Sequence, residues 1–225
     1  MSDRFVFDAP KQLIEQQFGI HSDREDYFES DYNISPGARI PIIINDSEGQ
    51  RQIRQALWGL LPPDADDERA GAEHYERAAG EIGDNSWVAE CLEIRRCLMP
   101  AQGFYKWKTT SKKSTPFYIR LLTNEPMAIA GVYGIWESPS GRKVYSCTML
   151  TTEANVLVQP VGDAMPVIID QEDYEEWLHR EILTDEARDR LIRTYPMGKM
   201  AVNRVSEKVN DVDNNGPELI QPIPK

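Results

Sequence analysis

Apolar and polar positions alternate with a period of two through most of the middle of this 225-residue chain. Segments 117–122, 128–136 and 144–151 are rich in β-branched and aromatic residues, and turns containing Asn, Pro or Gly separate them. Segment 40–44 is followed by a turn sequence at 45–49, which predicts a hairpin. The middle of the chain is therefore predicted to be mainly β.

Helical periodicity is confined to short segments. Asp8, followed by Pro10, predicts the start of a helix whose apolar face is Leu13, Ile14 and Phe18 and which ends at Gly19. Near the C-terminus, two amphipathic helices are predicted to cover the sheet, with Asp170 capping the first and Thr184 the second. Their apolar positions are Tyr174, Trp177, Leu178 and Ile182, then Ala187, Leu191 and Ile192. The tail is predicted to contain an Asn-Gly turn and a last short strand within segment 214–220.

A central segment, 96–107, places a charged residue among aromatic side chains. An apolar run ends at Gln102-Gly103, and the next residues alternate around Lys106. This pattern predicts a buried strand that turns into a second strand. From the pattern alone, Lys106 is interpreted as a lysine on the solvent face of an edge strand. The alternative is that it belongs to a functional site.

Composition limits the classes of function. The formal net charge is −12, and nucleic-acid backbones are bound largely through Lys and Arg, so general affinity for nucleic acids is not expected. A local basic cleft would still be compatible with this charge. The chain is 40% hydrophobic, enough for a sizeable core, and has no apolar run that could span a membrane. We expect one soluble domain covering residues 1–225, with no membrane partner.

The cysteines and histidines indicate neither a disulfide framework nor a metal site. Cys91, Cys97 and Cys147 are odd in number and lack CxxC spacing, which predicts reduced thiols in the cytoplasm. The three histidines are far apart in sequence. No leader for export is seen. A cytoplasmic location and no metal or other cofactor are expected.

Several short blocks along the chain form a recognisable set. The blocks are Arg4-Phe5, Tyr32-Asn33 with Pro36-Gly37, Trp58-Gly59-Leu60, segment 96–107, Thr151-Thr152 with Ala154-Asn155, Met165-Pro166, and Val205-Ser206 through Leu219. In order and approximate spacing, up to about Pro222, they resemble the SOS response-associated peptidase (SRAP) family of abasic-site processing proteins. A single block is not specific for this family, but the whole set in this order is. The resemblance implies an α+β fold with a curved, barrel-like, mostly antiparallel β core covered by helices.

The resemblance also implies a chemistry, and this chain differs at its first step. Family members carry a cysteine directly after the initiator methionine. Its α-amine forms an imine with the aldehyde of an abasic site, and its thiol then closes a thiazolidine ring that locks the protein to DNA. Here that residue is Ser2, expected at the mature N-terminus because serine permits removal of Met1. A hydroxyl is a poorer nucleophile than a thiolate, so no durable crosslink is expected.

Other positions matched to the family's catalytic set differ as well. The glutamate that positions the amine and moves protons is replaced by Lys106. The histidine three residues before the Met-Pro pair is replaced by Gly162, and an arginine just before that pair by Ala164. Glycine and alanine can neither transfer a proton nor hold a phosphate.

The matched DNA-contact positions are also changed. Counting without gaps from Trp58 puts Glu76 and Ala78 on the Asn and Arg of the family's Asn-Ala-Arg segment. A second register, with Asn85 there, shortens the following helix and is less favoured. A family tryptophan and a basic tail residue fall at two acidic positions, Asp64 and Asp213.

Arg4 and Asn33 are what remains of the functional set, and structural roles would also explain them. The combined changes predict a degenerate, inactive homologue of bacterial or phage origin whose cleft binds a protein or small molecule. The alternative is a residual abasic-site lyase, in which the Ser2 α-amine or Lys106 forms a transient imine with single-stranded abasic DNA. A serine or cysteine hydrolase unrelated to DNA is less favoured, because no His/Asp pair has a plausible placement.

Overall fold

Strands dominate the structure, as the alternating pattern predicts. The computed structural model describes residues 4–20, 28–84, 86–111 and 113–223. The strands are β1 (Arg4–Phe7), β2 (Asp31–Ile34), β3 (Arg39–Asn45), β4 (Arg51–Trp58), β5 (Glu76–Ala78), β6 (Arg96–Ala101), β7 (Gly103–Thr109), β8 (Ser114–Leu121), β9 (Met127–Glu137), β10 (Lys143–Glu153), β11 (Ala164–Pro166), β12 (Ile168–Ile169) and β13 (Met200–Arg204). The helices are α1 (Lys11–Phe18), α2 (Ser86–Ile94), α3 (Tyr174–Leu178) and α4 (Asp185–Leu191).

Five of these strands close into a barrel. β3 pairs with β4 and β6, β6 pairs with β9, β9 pairs with β10, and β10 returns to β4. The β10–β4 pairing is parallel, and the other four pairings of the ring are antiparallel. β5 and β11 flank the last part of β10. The predicted α+β class with a curved, mostly antiparallel β core is confirmed.

A second sheet contains five strands in the order β13-β8-β7-β1-β2. The chain passes from the barrel into this sheet at Gln102, between β6 and β7. Apolar side chains of both sheets belong to one hydrophobic cluster. Within it, the Phe5 ring of the second sheet packs edge-on against the Trp58 ring of the barrel, with centroids 4.9 Å apart. The extent of one domain over residues 1–225 stays a prediction.

One predicted helix start is wrong, and one predicted cap lacks its hydrogen bond. α1 begins at Lys11, with Pro10 rather than Asp8 at its N-cap. The Asp8 carboxylate instead accepts a hydrogen bond from the Ser30 hydroxyl at 2.7 Å. Asp170 makes no capping hydrogen bond to the following turn. The carboxylates of Asp8 and Asp170 therefore both make hydrogen bonds to distant residues instead of capping a helix.

Residues outside the helix bind the Asp170 carboxylate, and the helix that follows Asp170 is shorter than predicted. The Asp170 carboxylate accepts a hydrogen bond from the Tyr195 hydroxyl at 3.0 Å and lies 3.1 Å from the Lys199 amine. α3 ends at Leu178, and Ile182 lies beyond it with 67% of its surface exposed. The predicted longer helix is therefore wrong at its C-terminal part.

The C-terminal tail forms short 3-10 turns rather than the predicted last strand. They cover Glu207–Asn210 and Pro217–Ile220. Leu219 is fully buried in a small cluster with Val6 and Tyr105 of the second sheet. Packing of the tail against this sheet thus replaces strand pairing.

Candidate functional site

Lys106 lies in the interior of the second sheet. β7 is flanked by β1 and β8, and Lys106 pairs with Phe117 of β8. Only 9% of the Lys106 surface is exposed. The interpretation of Lys106 as a solvent-facing lysine on an edge strand is therefore wrong, because the side chain is buried and β7 has a strand on each side. Arg4 of β1 pairs with Tyr105, next to Lys106.

The structure brings Lys106 into contact with Gly162. A Cβ atom built on Gly162 would lie 3.3 Å from Cδ and 3.7 Å from Cγ of Lys106. It would also lie 3.9 Å from the carbonyl oxygen of Ala164. Three of the predicted site residues therefore meet at one place. Ser2 lies outside the described residues, so its presence at this place stays a prediction.

Ala164 also lines a surface groove of about 660 Å³, together with Ala78. β10 runs between these two residues, because Thr151 pairs with Ala78 on one side and with Pro166 on the other. The two positions matched to arginines of the family thus share one groove. Glu76, half-buried in β5, pairs with Met149 and is not part of the groove lining.

The groove is acidic. Its charged lining residues are Glu81, Glu153, Asp163, Asp189 and Arg188. Among the described residues, none of these side chains has an oppositely charged group within 4.0 Å. Four carboxylates and one guanidinium give a lining that does not favour a phosphodiester backbone. Asp64 and Asp213 are exposed and lie outside the lining.

Arg4 and Asn33 bind the C-terminal tail. Both are buried, and the Arg4 guanidinium donates to the Asn33 side-chain oxygen at 3.0 Å. Arg4 also donates to the carbonyls of Val209 and Asn210. The Asn33 amide donates to three tail carbonyls, those of Val209, Asp211 and Asn214, at 3.3, 2.9 and 2.9 Å. Both residues thus hold the tail against the second sheet.

Trp107 completes this arrangement, although the sequence alone assigned it no role. Its ring centroid lies 5.4 Å from the Arg4 guanidinium carbon, and its Nε1 donates to the Asn210 side chain at 2.7 Å. Burial lowers the pKa of Arg4, while charge interactions with Tyr105 and Asp211 raise it. The signal in the sequence that could have indicated this role is the position of Trp107 directly after Lys106.

Cysteine or metal chemistry receives no support from the described residues. All three cysteines are buried and unpaired, and burial raises the pKa of the Cys97 and Cys147 thiols. No three His, Cys, Asp or Glu side chains within the described ranges converge as metal ligands do. No helix in this part of the chain is long and apolar enough to cross a bilayer.

Comparison with known proteins gives consistent matches. Residues 1–212 match the model of the family described as SOS response associated peptidase (SRAP). The abasic site processing protein YoqW of Bacillus subtilis (strain 168) is 34% identical over 223 residues, covering 98% of this chain and 99% of YoqW. YoaM of the same organism, also named an abasic site processing protein, is 34% identical over 194 residues, covering 86% of this chain and 85% of YoaM.

A solved structure is similar to the whole fold. The crystal structure of a protein from Bacteroides thetaiotaomicron superposes with a TM-score of 0.83 at 22% identity. The match covers 98% of this chain and 99% of that protein. This likeness concerns the fold alone.

Proposed function

The chain belongs to the SOS response associated peptidase (SRAP) family, and from this we propose that it is an inactive homologue whose cleft binds a ligand other than abasic DNA. The contact between Lys106 and Gly162 carries the proposal. The methylene stem of Lys106 lies 3.3 Å from the point at which the Cβ of any side chain at position 162 would stand. A proton-transferring side chain is therefore missing at 162, and a cation replaces the carboxylate at 106.

The acidic groove supports this proposal. Relatives named abasic site processing proteins suggest abasic DNA as the family-level partner. In this chain, Ala78 and Ala164 face the groove where matched arginines would contact phosphates, and carboxylates surround them. Both counterion release and stacking should be reduced, so weak binding to single strands follows.

The two retained polar residues support it as well. Arg4 and Asn33 match the functional set of the family, but their hydrogen bonds go to each other and to the tail. Loss of either residue would leave buried carbonyl groups unsatisfied. Their retention is thus explained by folding without any need for catalysis.

Intact-mass spectrometry with an abasic single-stranded oligonucleotide tests the proposal. Without a reductant we expect no protein–DNA adduct, and fluorescence anisotropy at physiological salt should show no submicromolar binding. A hydroxylamine probe that captures free aldehydes serves as the control that the oligonucleotide still carries its abasic site. A stable adduct, or submicromolar binding, would contradict the proposal.

A residual lyase is the second candidate, and the burial of Lys106 at the site favours it. A neutral amine would attack the aldehyde carbon, form a C–N bond and lose water to give an imine, which water can reverse. Borohydride reduces an imine to a stable amine, so this candidate predicts an adduct only with borohydride. If the adduct persists in Lys106→Met, the Ser2 α-amine is the reacting group; if it is lost, Lys106 is.

A further inference from the structure

Gly162 is not required by its backbone conformation. It is absent from the glycines with positive φ, so an L-residue could adopt the same backbone. The restriction on side chains at position 162 is steric. A Cβ atom at 162 would lie 3.3 Å from Cδ of Lys106, closer than the roughly 3.5–4.0 Å at which carbon atoms pack best.

The loop that carries Gly162 is held in place. The Gly162 N–H donates to the Val158 carbonyl at 3.2 Å, and the Asn155 side chain accepts from the N–H groups of Leu157 and Val158 at 3.0 Å each. Asn155 also donates to the Tyr195 carbonyl at 2.8 Å. A side chain added at 162 would therefore displace Lys106 more readily than the loop.

We propose that Gly162 is a positioning residue for Lys106, and that the two form one coupled unit. The absent side chain at 162 lets the Lys106 stem cross the loop, and this path keeps the lysine buried at the site. A side chain at 162 is excluded while the Lys106 stem keeps this path, so the effect of a substitution at 162 depends on the residue at 106. The inference rests on the proposed function in that it concerns the same site.

The coupling bears on the imine chemistry of the second candidate. An amine reacts with an aldehyde only from a suitable position, so the path of the stem decides what the amine can reach. The ligand class for such an amine is a small aldehyde or the ring-opened sugar of an abasic site. A side chain at 162 should move the Lys106 amine away from this position and toward solvent.

Reductive methylation with formaldehyde and cyanoborohydride, followed by peptide mass spectrometry, measures how accessible each lysine is. In Gly162→Val we expect the methylation rate of Lys106 to rise about tenfold, as expected when a protected group becomes exposed. Gly198→Val is the matched control, because a Cβ at Gly198 meets nothing within 4 Å. Lys143, which is exposed, provides the internal reference rate in every variant.

A double-mutant cycle supplies the second readout. Gly162→Val should lower the urea midpoint clearly when Lys106 is present and much less in the Lys106→Ala background. If Gly162→Val does not fold with Lys106 but folds with Lys106→Ala, the coupling is also supported. If no valine variant folds, Gly162→Ala, which adds only the Cβ, is measured in the same way.

Two results together would overturn the inference. They are an unchanged Lys106 methylation rate and an equal loss of urea midpoint with and without Lys106. Neither readout uses DNA. A stable crosslink to abasic DNA would therefore refute the proposed function and leave the coupling of Gly162 to Lys106 standing.

Discussion

Two buried arginines are each bound by backbone carbonyls. Arg96 lies at the start of the barrel strand β6, and Arg4 lies in the second sheet. Neither has a carboxylate partner within 4.0 Å among the described residues. The guanidinium of Arg96 donates to five carbonyls around the ends of α2 and α3, those of Leu92, Glu93, Trp177, His179 and Glu181. Arg4 binds two tail carbonyls and Asn33.

The two arginines stabilise different kinds of structure. Arg96 joins two helix ends to the barrel, where carbonyls left free by the helices favour a cation. Burial lowers the pKa of Arg96 to about 10. Arg4 joins a tail without regular strand pairing to the second sheet, and its Nε has no hydrogen-bond partner in the described structure. Of the two arginines, Arg4, which holds the tail, is therefore the one with an unpaired buried donor.

This comparison separates two classes of polar residue near the site. Arg4 and Asn33 match the family and have structural partners. Under the proposed function, Lys106 and Gly162 stand where the family has catalytic residues, and both differ. The proposed function therefore implies that folding constraints preserve Arg4 and Asn33 although the positions matched to catalytic residues have changed.

Removing Arg96 should have the largest effect. Arg96→Met leaves five carbonyls without their donor, and we expect a loss of about 3–5 kcal/mol in the free energy of unfolding, measured with urea. Arg193→Met is the control, because that arginine is 52% exposed and 3.5 Å from Asp170. It should cost less than about 0.5 kcal/mol. Similar losses in both variants would mean that the carbonyl contacts of Arg96 add little.

Removing the tail contacts of Asn33 should have a smaller effect. Asn33→Ala is expected to cost about 2 kcal/mol, because buried tail carbonyls lose their donor. Hydrogen exchange should become faster in segment 207–215 and stay unchanged in the barrel strands. Gln16→Ala, at an exposed position of α1, is the control. Unchanged exchange in the tail would show that Arg4 alone holds it.

Reversal of the site residues tests the catalytic side of the comparison. Ser2→Cys restores the thiol but leaves Lys106 and Gly162 in place, so little stable crosslink to abasic DNA is expected. A second variant combines five substitutions: Ser2→Cys, Lys106→Glu, Gly162→His, Glu76→Asn and Ala78→Arg. This variant should form about tenfold more crosslink than Ser2→Cys alone, because such groups act as a unit. Equal yields, read by gel and intact mass, would indicate a loss of the nucleophile alone.

The smallest expected effect concerns a helix cap remote from the site. The Thr184 hydroxyl accepts from the Ala187 N–H at 3.1 Å, as the sequence predicted. Thr184→Ala should cost about 1 kcal/mol, whereas Thr184→Ser keeps the oxygen and should cost a few tenths. Urea unfolding of both variants measures this. An equal loss in both would assign the effect to the methyl group rather than to the cap.

Local patterns in the sequence determined much of the fold. The hairpin between β3 and β4, the three central strands and the break at Gln102 follow from two-residue alternation and turn residues, which act over a few positions. Gly19 ends α1, as predicted, and its φ is positive. The short blocks shared with the SRAP family were sufficient to predict the curved, barrel-like β core.

Only the tertiary structure decided where the side chains of the site lie. Whether Lys106 lies on an edge strand depends on β1 pairing beside β7, and its contact with Gly162 depends on how a distant loop packs. The tail forms a 3-10 turn at Pro217–Ile220, where Leu219 packs against the second sheet, and Arg4 and Asn33 bind the carbonyls of the preceding part of the tail. The periodicity of side chains is local, whereas strand order and loop packing arise from contacts between residues far apart in sequence.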